Sequence, residues 1–205
     1  MNRLRFFLVV CATALLATTA TAAEPPQVAL AGPALLAALR DGGLIIYIRH
    51  TSTDFGQNDD QMTGYEDCAR QRNLTDRGRA EARLVGEAIK RLAIPIGDVL
   101  ASPFCRTQET ARLIFGRATA APAVRGGPAR TESPERYAEL RKLLSTPPPV
   151  GVDLAIVSHG NPFAAVTGSA YLAEGEAAVI RPLDGGGFFI VARIPKDGWT
   201  ALGAP

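Results

Sequence analysis

"LIIYIRHTSTD", residues 44–54, decides how this chain is read. Leu44 to Ile48 run without a polar interruption and then stop on Arg49 and His50. A short run rich in β-branched aliphatics predicts a strand buried on both faces, as in a parallel sheet covered by helices. The chain holds only two histidines, and His159 directly follows another such run, "DLAIVS" at 153–158. "DVLAS" at 98–102 and "FFIVARI" at 188–194 are the other predicted strands.

Between the first two runs, "NLTDRGRAEARLVGEAIKRL" carries Leu84, Val85, Ala88, Ile89 and Leu92 at helical spacing, with Thr75 placed as an N-cap. Strands separated by helices of this length predict βαβ units, hence an α/β fold with a mostly parallel sheet. Two further helix starts follow strands. In "ASPFCRTQETARLIF", Ser102 is positioned to cap and Pro103 to occupy the first helical turn. Asn161 and Pro162 repeat that arrangement in "VSHGNPFAAV". Both helices would begin at the C-terminal edge of the sheet, where open α/β sheets bind ligands. Residues 116–137, rich in Gly, Pro and Ala, read as a surface excursion, 145–151 as a stiff connector, and 183–188 as a turn. No repeat or shift of composition divides the chain, so residues 24–205 are expected to form one domain.

Residues 1–23 read differently. Arg3 and Arg5 form a basic start, residues 6–17 an apolar run, and Ala20 to Ala23 a small-residue cleavage region. That order is expected of a secretory signal peptide, and the apolar run is shorter than the roughly 20 residues a membrane span needs. The expectation is export to the periplasm or beyond, with no stable membrane anchor after cleavage. Cleavage removes two of the 22 basic residues and none of the 20 acidic ones, so the mature chain is formally neutral. Neutrality argues against a nucleic-acid partner or a polybasic membrane patch. Of the three cysteines, Cys11 leaves with the signal. Cys68 and Cys105 remain, either as a disulfide suited to an oxidising compartment or as two thiols.

The chemistry gathers at the strand ends. Arg49 adjoins His50, Arg106 falls in the first turn of a helix, and His159 follows the third strand. Guanidinium forks and helix N-terminal N–H groups suit a phosphate. Histidine adds something binding alone does not require: its neutral form carries a lone pair that can attack phosphorus. Nearby arginines favour that neutral form and spread the charge of a transferring phosphoryl group. The arrangement calls for no metal or other cofactor. No Gly-x-Ser-x-Gly elbow supports a serine hydrolase, and two histidines lack a third ligand for zinc.

"YIRHTSTD", "SPFCRTQETA" and "VSHGNPF", with "LTDRG" between the first two, resemble the signature segments of the histidine phosphatase superfamily over roughly residues 42–172. The resemblance implies a phosphoglycerate mutase-like three-layer α/β/α sandwich and a phosphohistidine enzyme. By position, His50 matches the nucleophile, Arg49 and Arg106 the phosphate clamp, His159 the second histidine that holds the phosphoryl group, and Asn161 the family's His-Gly-Asn variant. Thr51 stands where most members have glycine; it would narrow the pocket floor or contribute a phosphate contact through its hydroxyl or N–H. Glu132 is the first candidate for the acid that protonates the leaving oxygen, with Glu135 and Asp54 as alternatives. The expected activity is hydrolysis of a small phosphomonoester, with a phosphorylated envelope sugar as one candidate. A phosphomutase and a non-catalytic phospho-ligand binding protein of the same fold are the alternatives.

Overall fold

The computed structural model describes residues 27–126 and 134–203. Six strands form one sheet: β1 (Ile45–Arg49), β2 (Ile96–Ala101), β3 (Thr119–Ala120), β4 (Asp153–Ser158), β5 (Ala177–Pro182) and β6 (Phe188–Ile194), in the order β3-β2-β4-β1-β5-β6. The four strands from β3 to β1 are parallel, and β5 and β6 complete the sheet antiparallel. The helices are α1 (Gly32–Asp41), α2 (Asp76–Arg91), α3 (Cys105–Phe115), α4 (Ala138–Leu144) and α5 (Gly160–Thr167). This is the phosphoglycerate mutase-like α/β sandwich, with a mixed, mostly parallel sheet.

The period-two alternation of the opening run produces the layers. Ile46 and Ile48 join one core with Leu39 of α1, Val85 and Ile89 of α2, and Trp199 of the C-terminal 3-10 turn. Ile45 and Tyr47 point the other way, into a core with Leu140 and Leu144 of α4 and Phe163 of α5. All four strand residues are 0% exposed, as expected of a central strand covered on both faces. Each such aliphatic side chain contributes roughly 1.5–3 kcal/mol through burial.

Predicted strands 153–158 and 188–194 coincide with β4 and β6. Thr75 caps α2 by accepting a bond from the Gly78 N–H at 3.0 Å. Within α2, however, Leu84 is exposed, and Ala82 takes its place on the buried face beside Val85 and Ile89. Ser102 does not cap α3. That helix begins at Cys105, after Phe104, and the Cys105 N–H donates to Gln71 Oε1 at 2.9 Å from a loop 34 residues away. Likewise α5 is preceded by His159 rather than Asn161, which leaves Pro162 inside the first turn, where a missing N–H still costs nothing. Strand β5 was absent from the sequence reading; its "AAVI" gains strand character from burial between β1 and β6 rather than from strong β-propensity.

Among the described residues no helix is long and apolar enough to cross a membrane. Residues 1–23, where a signal peptide is expected, lie outside the described residues.

At the sheet edge opposite the strand ends carrying the histidines, Asp153 is fully buried, and its Oδ1 accepts the Leu44 N–H at 2.9 Å. Burial outweighs that bond and raises the carboxyl pKa from 3.8 to about 7. The folded state therefore retains a proton that the unfolded chain releases at lower pH, so this group's contribution falls as pH rises from 3.8 to about 7. Asp153→Asn keeps the acceptor for Leu44 and removes the titration. Urea unfolding is expected to show the variant gaining on the parent between pH 4 and pH 8, by up to about 1.4 kcal/mol per unit of pKa shift. A stability difference that does not vary with pH would contradict the shifted pKa.

Candidate active site

The site is a consequence of strand register. In the β1–β4 ladder Arg49 lies opposite Ser158, and the His50 N–H donates to the Ser158 carbonyl at 3.0 Å. Both histidines are therefore the residues that leave adjacent parallel strands at the same edge. Their rings meet edge to face with centroids 5.5 Å apart. Strand β2 ends at the same level on the other side of β4, where the Ser102 N–H donates to the Val157 carbonyl at 2.9 Å. That places Ser102 Oγ 2.8 Å from His159 Nε2. The residue read as a helix cap is instead the hydrogen-bond partner of the second histidine.

His50 Nδ1 lies 3.0 Å from the Thr51 carbonyl oxygen. A carbonyl can only accept, so Nδ1 carries the hydrogen and Nε2 of the neutral ring keeps its lone pair. Burial is the main reason that the His50 pKa lies well below 6.5; the charges of Arg106, Arg49 and Arg72 push the same way, against the Thr51 bond. His159 is likewise held well below 6.5, by burial first and then by His50 and the same arginines. Both imidazoles are thus neutral at pH 7.

These side chains line a cavity of about 620 Å³ that also includes Asp59, Asp60, Met62, Phe104, Asn161 and Tyr171. Arg49 reaches it from the end of β1, its Nη1 donating to the Leu172 carbonyl at 2.8 Å and its Nη2 3.6 Å from Glu174. Glu174 in turn accepts from the Thr53 hydroxyl at 2.7 Å. Arg106, in the first turn of α3, stacks its guanidinium 4.5 Å from the Phe104 ring centroid. The two histidines, the two arginines and Asn161 therefore line one cavity.

Other expectations fare differently. Thr51 does not line the cavity: it is fully buried, with its N–H and hydroxyl each 3.3 Å from Thr110 Oγ1. A β-branched side chain leaving a central strand is accommodated by α3, so Thr51 braces that helix rather than presenting a phosphate contact. Asp54 is exposed and turns back to accept the Gly56 N–H at 2.8 Å, away from the cavity. Glu135 is exposed and does not line the cavity. Glu132 lies outside the described residues.

Several cavity residues escaped the sequence reading. Arg72 and Asp59 belong to the loop between β1 and α2, which has no periodic pattern to place them. A disulfide joins Cys68 of that loop to Cys105 of α3, with Cα atoms 5.7 Å apart, and so fastens the loop beside Arg106. Gln71, 1% exposed, reinforces the join by donating to the Tyr65 carbonyl at 2.8 Å while accepting from Cys105. Gly126 is the remaining surprise. The surface excursion folds back so that Gly126 is buried against His159. Among the described residues, no group of three or more His, Cys, Asp or Glu could hold a metal ion.

Residues 45–127 match the model of the histidine phosphatase superfamily, branch 1. A 74-residue stretch is 38% identical to the mitochondrial serine/threonine-protein phosphatase Pgam5 of Drosophila virilis; it covers 36% of this chain and 22% of that relative. The chain thus matches about a fifth of the curated relative's length. Among solved structures, the protein histidine phosphatase SixA complexed with tungstate is 19% identical, with a TM-score of 0.52, over 75% of this chain and 97% of its own. A phosphoserine phosphatase of Entamoeba histolytica in complex with phosphoserine is 14% identical, with a TM-score of 0.51, over 73% of this chain and 95% of its own. Those two structural likenesses establish the fold. The family match spans the first strand, the capped helix and the second arginine, the segments that carry Arg49, His50 and Arg106.

Gly126 provides a direct check on the second histidine. A Cβ there would lie 2.8 Å from His159 Cδ2 and 2.9 Å from Cγ, inside contact distance of a ring already packed on Phe104. Gly126→Ala is expected to displace the imidazole and weaken vanadate binding at least about 10-fold, with little change in Tm. Unchanged vanadate affinity would show that the position of His159 does not matter to anion binding.

Proposed function

We propose that this protein is a phosphomonoesterase in which His50 Nε2 attacks the phosphorus of a small phosphate ester. The observation that carries the reading is the pairing of a buried, neutral His50, Nδ1–H fixed on the Thr51 carbonyl, with guanidinium groups lining the same cavity. In the first step the Nε2–P bond forms as the P–O bond to the leaving alcohol breaks, giving a phosphohistidine. Water then attacks phosphorus, the N–P bond breaks, and inorganic phosphate leaves with His50 restored. Arg49, Arg106 and Arg72 would spread the charge of the transferring group, which is the main task in phosphoryl transfer. His159, oriented by Ser102, would donate to a phosphoryl oxygen.

The leaving oxygen would take its proton from a carboxyl group at the cavity. Glu132 is the candidate carried over by family resemblance, and Asp60 is a carboxylate that lines the cavity without bonding Arg106. A phosphorylated envelope sugar is a fitting substrate class for an exported member. The Cys68–Cys105 disulfide supports export, since such bonds persist in oxidising compartments. A mutase returning the phosphoryl group to a product would use the same intermediate, and hydrolysis is preferred for an exported chain.

Mass spectrometry after a rapid acid-free quench with p-nitrophenyl phosphate tests the reading. One labile phosphoryl group is expected on the peptide containing His50, decaying with release of phosphate. His50→Ala should lose both the adduct and at least about 1,000-fold in turnover. Because the His50 pKa lies well below 6.5, its protonation should not reduce kcat/KM between pH 8 and pH 6.5. Turnover that survives in His50→Ala would remove His50 as the nucleophile.

A further inference from the structure

We propose that Asp59 is an internal anion that occupies the Arg106 fork until a ligand of higher charge displaces it, and that it thereby selects phosphate dianions over monoanions. The inference rests on the reading of Arg106 as an anion-binding residue. Arg106 Nη1 and Nη2 each donate to one Asp59 carboxylate oxygen at 3.0 Å, the two-pronged geometry by which guanidinium grips a phosphate. The other Nη1 hydrogen is directed to the Arg72 carbonyl at 3.2 Å. Nε is sealed from solvent and has no partner, so the Nε–Nη2 edge is not open to a ligand. One Nη2 hydrogen remains. A phosphoryl group can therefore engage Arg106 through two parallel bonds only by replacing Asp59.

The placement of Asp59 suits a group that leaves. Its side chain is 31% exposed against 6% for Arg106, and it sits in a largely exposed stretch of the loop between β1 and α2. The loop's other fastenings, the Cys68–Cys105 disulfide and Gln71, lie farther along the chain and do not depend on the Asp59–Arg106 pair. Asp59 Oδ1 also accepts the Arg72 N–H at 2.9 Å, a bond that can persist as the fork is released.

Charge decides what can compete. A monoanion offers Arg106 no more charge than Asp59 does and also loses translational freedom on binding, whereas Asp59 is already tethered. A dianion gains from Arg49 and Arg72 in the same cavity as well. Phosphomonoesters reach that charge above a second pKa of about 6, while diesters never do.

Calorimetric titration of the purified full chain with inorganic phosphate and with dimethyl phosphate at pH 7.5 tests this. Asp59→Asn is expected to bind phosphate about 10-fold more tightly than the parent and to bind dimethyl phosphate measurably, where the parent does not. Asp60→Asn controls for charge alone, because Asp60 lines the cavity without bonding Arg106. Unchanged or weaker phosphate binding in Asp59→Asn, with Tm preserved, would overturn the proposal and make Asp59 an orienting partner of Arg106. Equal tightening in both variants would overturn it in favour of a diffuse field. Asp59→Ala, which cannot bond the fork at all, should tighten phosphate binding in the same direction. If Arg106→Ala binds phosphate as well as the parent does, the reading of the site itself fails; if Arg106→Ala loses binding while Asp59→Asn gains none, only the inference fails.

Discussion

The parallel ladder between β1 and β4 is the constraint on which the site depends. Opposing Arg49 to Ser158 makes His50 and His159 the next residues on neighbouring strands, and both emerge at one level of one edge. A one-residue slip would invert every side chain of β1 between the two cores, exchanging Ile45 and Tyr47 for Ile46 and Ile48. Because both faces of the strand are packed, register is over-determined, and the juxtaposition of the imidazoles follows from the hydrophobic pattern. Asp153 pins the far end of the same pair of strands through the Leu44 N–H.

Upon that frame the electrostatics are consistent. Burying two imidazoles beside three arginines would be costly if the rings were charged, and both are held neutral instead. Two of the guanidinium groups have specific acceptors: Arg49 has the Leu172 carbonyl and Glu174, and Arg106 has Asp59 and the Arg72 carbonyl. A site rich in fixed positive charge and neutral nucleophilic nitrogen suits an oxyanion. Tyr47 adds rigidity beneath it, donating from its buried hydroxyl to the His159 carbonyl at 2.8 Å.

The loop between β1 and α2 supplies what the strands do not. It is exposed along much of its length, yet it carries Asp59 and Arg72 to the cavity and is joined to α3 by Cys68–Cys105. Its attachment falls at the residue before Arg106, so the covalent link and the guanidinium share one turn of helix. Irregular segments with few buried apolar side chains need such fastenings, because hydrophobic burial alone does not fix them.

By itself the sequence determined the central strands, the capped helix α2 and the four residues Arg49, His50, Arg106 and His159. Each was legible because it is locally encoded: aliphatic runs of strand length, apolar residues at helical spacing, and a charged or imidazole side chain where an apolar run ends. The tertiary structure decided the rest. Ser102 bonds His159 only because β2 lies beside β4, Thr51 turns to Thr110 only because α3 packs there, and Gly126 touches His159 only because a chain segment folds back. Arg72 and Asp59 have no local pattern, and the choice between two thiols and a disulfide for Cys68 and Cys105 required a separation in space. Spacing along the chain specifies which face a residue occupies within its own element; contacts between elements depend on how those elements pack.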